Sequence, residues 1–149
     1  MDQLAIALKI ALANTFQMYF RAHSYHWNVE GPNFSDYHAF FGTLYTELFG
    51  AIDPIAEHIR AIDSYAPFSL SDMKMASTVM EDQDRINGND YDTMFANLMR
   101  DNQQVVDAFA KAHSLAISVN KHGLAQFVAE RMDTHAKHAW MLRSLLRKG

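Results

Sequence analysis

Helix-breaking residues are scarce in this chain of 149 residues, and their spacing limits what it can fold into. There are 3 prolines, Pro32, Pro54 and Pro67, and 6 glycines. Proline lacks an amide hydrogen and glycine loses much backbone entropy on folding, so both are unfavourable inside helices. The long intervals between these breakers carry apolar residues three and four positions apart, which is the period of an amphipathic helix. The sequence therefore predicts an all-α fold.

The same pattern predicts four long helices and a short fifth one. We expect the long helices at about residues 3–28, 35–63, 91–120 and 124–146. The short helix is expected at about residues 69–78, with Ser69 or Ser71 as its N-cap. Pro54 lies inside the second helix, where we expect a kink or the local loss of one backbone hydrogen bond. One long connection between otherwise short turns is typical of a four-helix bundle with a crossover, and the length suits a single domain, residues 1–149.

Composition narrows the chemistry that the chain can perform. There is no cysteine, so any metal ion must be held by nitrogen and oxygen ligands, which suit Fe(II), Mn(II) or Zn(II). The formal net charge of −4 argues against long-range attraction to nucleic acid. We find no signal peptide and no apolar stretch of membrane-spanning length, and we expect a cytoplasmic protein.

Four side chains are candidate metal ligands: His26, His38, Asp53 and Glu57. Asp53 and Glu57 are four residues apart and share one face of the second helix. His26 ends the first helix and His38 opens the second, so an antiparallel hairpin brings the two imidazoles together. Imidazole with carboxylate is a common ligand set for Fe(II), Mn(II) and Zn(II).

Distance decides how these four ligands can be combined. His38 and Asp53 are 15 residues apart on one helix, which is roughly 22 Å at about 1.5 Å per residue. Metal–ligand bonds are only roughly 2–2.6 Å long, so one ion cannot touch both within one chain. Either the pairs are unrelated, or two chains share the ions. We favour sharing across a two-fold axis near Tyr45 and Thr46, because each pair alone has too few ligands.

The usual metal site inside a four-helix bundle fits this sequence poorly. That site uses a Glu-x-x-His pair on each of two helices, and this spacing does not occur here. His23 with His26, and His135 with His138, give His-x-x-His without partner carboxylates. We interpret His135 and His138 as solvated or interfacial, and Trp140 as a core residue.

Three stretches resemble the Dps family, the mini-ferritins also called DNA-binding proteins from starved cells. The first runs from His26 to Phe34 and reads His-Trp-Asn-Val-Glu-Gly-Pro-Asn-Phe, with His38 following. The second runs from Asp53 to Glu57 and reads Asp-Pro-Ile-Ala-Glu. The third, residues 140–143, reads Trp-Met-Leu-Arg. The combined spacing is specific, whereas each stretch alone would be a weak signal.

The resemblance implies a ferritin-like bundle that assembles from two-fold dimers into a hollow dodecameric cage. It implies a ferroxidase centre at each two-fold interface, with His26 and His38 from one subunit and Asp53 and Glu57 from its mate. Fe(II) would be oxidised there by hydrogen peroxide, less readily by dioxygen, and Fe(III) stored inside as ferric oxide. Trp27 would lie beside the iron and supply an electron.

The chain also departs from the family pattern, and two other functions stay open. No lysine-rich tail is present, so we expect little or no DNA binding. Helix 35–63 lacks the usual cavity-facing acids after His38, and Glu47 is our candidate substitute for mineral nucleation. One alternative is a DNA-compacting structural protein. The other is a cage that binds zinc or manganese without turning over iron.

Overall fold

The protein is an all-α bundle in the computed structural model, which describes residues 2–81 and 85–148. Its elements are α1 (Asp2–Asn28), α2 (Phe34–Ala61), α3 (Leu70–Ala76), α4 (Tyr91–Ser118) and α5 (His122–Leu146). Within those two ranges the remaining residues form turns and loops. The expected fold class, with four long helices and a short one in the long connection, is confirmed.

Two short turns make two helix hairpins. Residues 29–33 join α1 to α2, and residues 119–121 join α4 to α5. The first turn requires glycine, because Gly31 has a φ of +107° and a Cβ there would lie 2.3 Å from the hydroxyl of Tyr91. That hydroxyl donates a hydrogen bond to the carbonyl of Glu30 at 2.5 Å. The start of α4 therefore holds the turn that separates His26 from His38.

The long connection, residues 62–90, reverses the usual up-and-down order of the bundle. Asn14 of α1 donates to the carbonyl of Gln104, and Arg21 donates to Asp101 at 2.5 Å. Residue numbers on α4 thus fall as those on α1 rise, so α4 is antiparallel to α1 and parallel to α2. A crossover along the length of the bundle is the only way to join α2 and α4 in this orientation.

Asn14 also fixes the crossover to the bundle. It is fully buried, its Oδ1 accepts from the Ser77 hydroxyl and the Thr78 amide, and its Nδ2 donates to the Thr78 hydroxyl. The short helix α3 precedes Ser77 and Thr78 in the crossover. Its N-cap is Ser69, one of the two expected residues, and the Ser69 hydroxyl accepts a hydrogen bond from the amide of Asp72 at 3.0 Å.

The core runs along the axis of the bundle. Helix α2 contributes residues spaced three and four apart: Phe41, Leu44, Leu48, Ala51, Ile55 and Ile59. Burying each large side chain of this kind stabilises the fold by about 1.5–3 kcal/mol. Pro54 is exposed on the other side of α2, which continues unbroken from Phe34 to Ala61. None of the helices in the described ranges is long and apolar enough to cross a membrane.

A polar network lies between α2 and α5, and it corrects two of our sequence interpretations. His135 is fully buried and His138 nearly so, and neither is a solvated residue. Glu47 accepts from Arg131 at 2.5 Å and from His138 at 2.7 Å, and its side chain stays 32% exposed, so its role in mineral nucleation remains a prediction. The buried guanidinium of Arg131 requires a counter-ion, which explains why Glu47 lies beside it.

Trp140 is another residue whose position differs from the one that we expected from the sequence. Its side chain is 56% exposed on the outer surface of α5, whereas the sequence suggested a core position. Its neighbours Leu142 and His138 face inward instead. A helix turns about 100° per residue, and at the chain's end the apolar pattern is too short to fix which apolar residue faces the core.

Candidate metal centre

His26 and His38 lie side by side where α1 ends and α2 begins. Their rings stack with centroids 3.8 Å apart and an interplanar angle of 18°. The Nδ1 atom of His26 is 2.8 Å from the carbonyl oxygen of His38, and the Nδ1 atom of His38 is 2.7 Å from the carbonyl oxygen of His26. Each histidine is thus oriented by the backbone of the other.

These reciprocal hydrogen bonds fix the tautomer of both rings. A carbonyl oxygen only accepts, so each Nδ1 must carry the proton and donate it. In the neutral imidazole the Nε2 atom then has a free lone pair, which is the form that binds a metal ion. A backbone carbonyl on the far nitrogen is the usual way in which proteins orient a metal-binding histidine. The pair is therefore preorganised as two nitrogen ligands.

Gly42 makes room for this arrangement. It lies one helical turn after His38, and a Cβ there would be 3.2 Å from both Cε1 and Nδ1 of His26. Those distances are closer than an ordinary van der Waals contact. We had not identified Gly42 from the sequence. Its position four residues after His38 was a usable signal, since it places Gly42 on the same helical face.

Asp53 and Glu57 form a second pair near the other end of α2. Both side chains are exposed. A hydrogen bond with Asp53 and the repulsion between the two carboxylates raise the pKa of Glu57 above its ordinary value. Like charges held together at a surface favour a bound cation, because it removes the repulsion. The pair thus offers oxygen ligands that suit a hard or borderline divalent cation.

The two pairs do not meet within one chain. His38 and Asp53 both belong to the uninterrupted helix α2, and 15 residues at about 1.5 Å each separate them by roughly 22 Å. Across residues 2–81 and 85–148, no three His, Asp or Glu side chains lie close enough together to hold one ion. One chain therefore presents two half-sites, one of imidazoles and one of carboxylates.

Trp27 follows His26 in the chain and lies on a surface of aromatic rings, which we call the aromatic face. Trp27 is 57% exposed, and its ring centroid is 4.1 Å from that of His23. The aromatic face comprises Tyr19, Phe20, His23, Trp27, Tyr45 and Phe49. Exposed apolar surface of this kind is typical of protein interfaces. Of these residues, the family resemblance named Trp27 as an electron donor, and Tyr45 was expected near a two-fold axis.

The four long helices, with their long crossover between α2 and α4, define a ferritin-like bundle. The family model of the ferritin-like domain matches residues 6–149. A curated relative, the DNA protection during starvation protein of Brevibacillus brevis, is 29% identical over 143 residues, which cover 96% of this chain and 94% of that protein.

Solved structures agree with this classification. Dps from Thermosynechococcus elongatus superposes with a TM-score of 0.92 at 26% identity, covering 99% of this chain and 92% of that one. The Dps protein of Vibrio cholerae O1, described as one of the ferritin-like diiron-carboxylate proteins, gives 0.90 at 28% identity, covering 98% and 90%. The chain belongs to the Dps family of ferritin-like proteins. Membership of this family supports an iron-binding, storage type of function in general terms.

Proposed function

We propose that the protein is a ferroxidase and iron store, whose centres are each completed by two copies of the chain. Fe(II) binds between His26 and His38 of one copy and Asp53 and Glu57 of a second copy. The observation that carries this proposal is the pair of half-sites at the two ends of α2. Each brings two ligands together, and two are too few to hold an ion.

Symmetry explains how two incomplete half-sites become two complete centres. If two α2 helices lie antiparallel about a two-fold axis near Tyr45 and Thr46, each imidazole pair faces the partner's carboxylate pair. The axis falls midway between His38 and Asp53, so both centres form at once. The aromatic face supports this arrangement, because Phe20, Trp27 and Phe49 are each more than half exposed and a second copy would cover them.

The reaction that we propose is the oxidation of Fe(II) by hydrogen peroxide, with dioxygen as a slower oxidant. Two Fe(II) ions give one electron each, the oxygen–oxygen bond breaks, and two protons complete two water molecules. The carboxylates of Asp53 and Glu57 stabilise the higher charge of Fe(III), and a centre with only four protein ligands leaves room for the oxidant. Fe(III) then collects as ferric oxide inside a hollow cage of twelve chains built from these dimers.

The test is anaerobic loading with Fe(II), followed by hydrogen peroxide and measurement of ferric absorbance. Glu57→Ala is expected to abolish the rapid ferric signal, because it removes half of the carboxylate pair. Asp133→Ala removes an exposed acid from α5 and is expected to leave the signal unchanged. A full signal from Glu57→Ala would show that the assignment of this site is wrong.

A mixing experiment tests whether the centre is shared. His38→Ala and Glu57→Ala proteins are each expected to be inactive, because every centre in each has lost a ligand. Unfolding the two together and refolding them produces mixed dimers, in which one centre has lost both ligands and the other is intact. With random pairing, about a quarter of the wild-type rate should return. Two inactive proteins that stay inactive after mixing would contradict the shared centre.

The same ligands bind Zn(II) and Mn(II), so a cage that holds these ions without turnover is the nearest alternative. Ferric absorbance after addition of peroxide separates the two functions, because neither of those ions gives that signal under these conditions. DNA compaction is a weaker alternative, since the net charge is −4. A gel-shift assay at modest salt tests it directly.

A further inference from the structure

Tyr19 and His23 form a hydrogen-bonded pair that the proposed centre does not use. They are one helical turn apart on α1, and the hydroxyl of Tyr19 is 2.9 Å from Nδ1 of His23. His23 stacks on Tyr45 with ring centroids 3.8 Å apart and an interplanar angle of 8°. Its ring centroid is also 4.1 Å from that of Trp27, at an interplanar angle of 37°. The imidazole is thus held in place by two neighbouring rings.

The pair is connected to the imidazole half-site by aromatic contacts. The ring centroid of Tyr45 is 5.2 Å from that of His26 and 6.2 Å from that of Tyr19. His23 itself is 6.1 Å from His26. An electron can pass between rings at such distances without any movement of the chain. Tyr19 is therefore within reach of an oxidant formed at the iron centre.

Tyr19 also has the partner that oxidation of a phenol requires. A phenol that loses an electron becomes a strong acid, so its proton must leave at the same time, and a neutral imidazole can take it. Among the tyrosines in the described ranges, Tyr19 is the one whose hydroxyl faces an imidazole. Tyr91 donates to a backbone carbonyl and Tyr25 accepts from Asn97, and neither partner is a base.

We propose that Tyr19 and His23 form a proton-coupled electron donor, which supplies the second electron when peroxide meets a centre holding a single Fe(II). This inference rests on the proposed ferroxidase function. One Fe(II) gives one electron and becomes Fe(III). Tyr19 gives the other and becomes a neutral tyrosyl radical, while its proton moves to Nδ1 of His23. The oxygen–oxygen bond breaks and two hydroxide ions form, so no hydroxyl radical is released.

The experiment is rapid freeze-quench electron paramagnetic resonance on the assembled protein. The protein is loaded with less Fe(II) than it has centres and mixed with hydrogen peroxide. In wild-type protein we expect a tyrosyl signal whose hyperfine structure collapses when the protein is labelled with ring-deuterated tyrosine. The signal is expressed per Fe(III) formed, and circular dichroism verifies the helix content of every variant.

Variants assign the signal to the pair. Tyr19→Phe should lose the tyrosyl signal. His23→Phe should lose it too, because it keeps a ring in the stack but removes the base. Tyr65→Phe is the matched control, since Tyr65 is an exposed residue whose ring contacts Phe68 and Arg60 and which does not belong to the aromatic face. It should retain the wild-type signal per Fe(III).

Each outcome separates this inference from the proposed function. Wild-type protein that forms no Fe(III) at saturating iron contradicts the ferroxidase itself. Normal Fe(III) formation with an unchanged tyrosyl signal in Tyr19→Phe or His23→Phe overturns the pair alone. A radical that is insensitive to tyrosine deuteration and disappears in Trp27→Phe assigns the electron to Trp27 instead. Loss of all Fe(III) formation in Tyr19→Phe would also overturn the inference, because the residue would then be needed for iron oxidation itself.

Discussion

Gly42→Ala should weaken iron binding, although the added methyl group does not contact the Nε2 atom through which His26 would bind the metal ion. The added methyl carbon would lie 3.2 Å from Cε1 and Nδ1 of His26, so the imidazole must shift by a few tenths of an ångström. The ring cannot shift freely. His38 stacks on it at 3.8 Å, and its Nδ1 is bonded to the His38 carbonyl at 2.8 Å.

The size of the effect follows from the hydrogen bond that the shift distorts. A neutral hydrogen bond contributes about 0.5–1.5 kcal/mol, and losing an outer partner of a metal ligand typically costs about 10–100-fold in affinity. We therefore expect Fe(II) to bind about 3- to 30-fold more weakly to Gly42→Ala, since the bond is bent and not removed.

Anaerobic titration calorimetry with Fe(II) measures this directly, and α2 itself provides the control. Gly50 is on the same helix, and a Cβ there has no atom within 4 Å. Both substitutions improve helix propensity by up to about 1 kcal/mol, so both variants should fold. Gly50→Ala should bind Fe(II) with wild-type affinity. Equal affinities for Gly42→Ala and Gly50→Ala would refute the claim that His26 needs the space above Gly42.

Two further predictions concern the stability of the bundle. Burial alone raises the pKa of Glu47, but hydrogen bonds from His138 and Arg131 outweigh it and lower that pKa from 4.5 to about 2. Glu47→Gln should therefore lower the free energy of unfolding at pH 7 by about 1–3 kcal/mol, a range discounted because Glu47 is about a third exposed. Because the pKa of Glu47 is lower in the folded protein, its carboxylate stabilises the fold fully only above pH 4.5. In urea unfolding, the difference in free energy between wild type and Glu47→Gln should therefore shrink as the pH falls towards 2. A difference that does not change with pH would show that the charge of Glu47 is not its cause. Asn14→Ala should cost about 1–3 kcal/mol, because the amide of Thr78 loses its acceptor, and limited proteolysis should then cleave the crossover faster than in wild type.

The fold was predictable because helix-breaking residues and the spacing of apolar residues determine helices locally along the chain. The turn at Gly31 and Pro32 and the polar loop before Tyr91 end the helices at positions that the sequence shows directly. The observed helix bounds differ from the expected ones by at most two residues. The crossover also followed from its length. Its attachment through Asn14 did not, because that contact joins residues 64 positions apart and leaves no periodic signal.

The candidate centre was only partly predictable, for the same reason. The spacing of Asp53 and Glu57 fixes their shared face, and the tight turn brings His26 to His38. The reciprocal bonds between imidazoles and backbone carbonyls were not foreseen, since carbonyl directions depend on the packing angle of two helices. Buried histidines were misjudged because their partners, such as Asn102 for His135, are 33 residues away.

The length of α2 ties the chemistry to assembly. Because that helix is unbroken between His38 and Asp53, its two half-sites stay roughly 22 Å apart whatever the rest of the bundle does. In the proposed centre, a single chain therefore cannot oxidise iron, and activity should appear only as dimers form. Dilution should lower the specific rate in step with the dimer fraction measured by sedimentation. A rate per chain that is unchanged at concentrations where only monomers remain would contradict a centre shared between two chains.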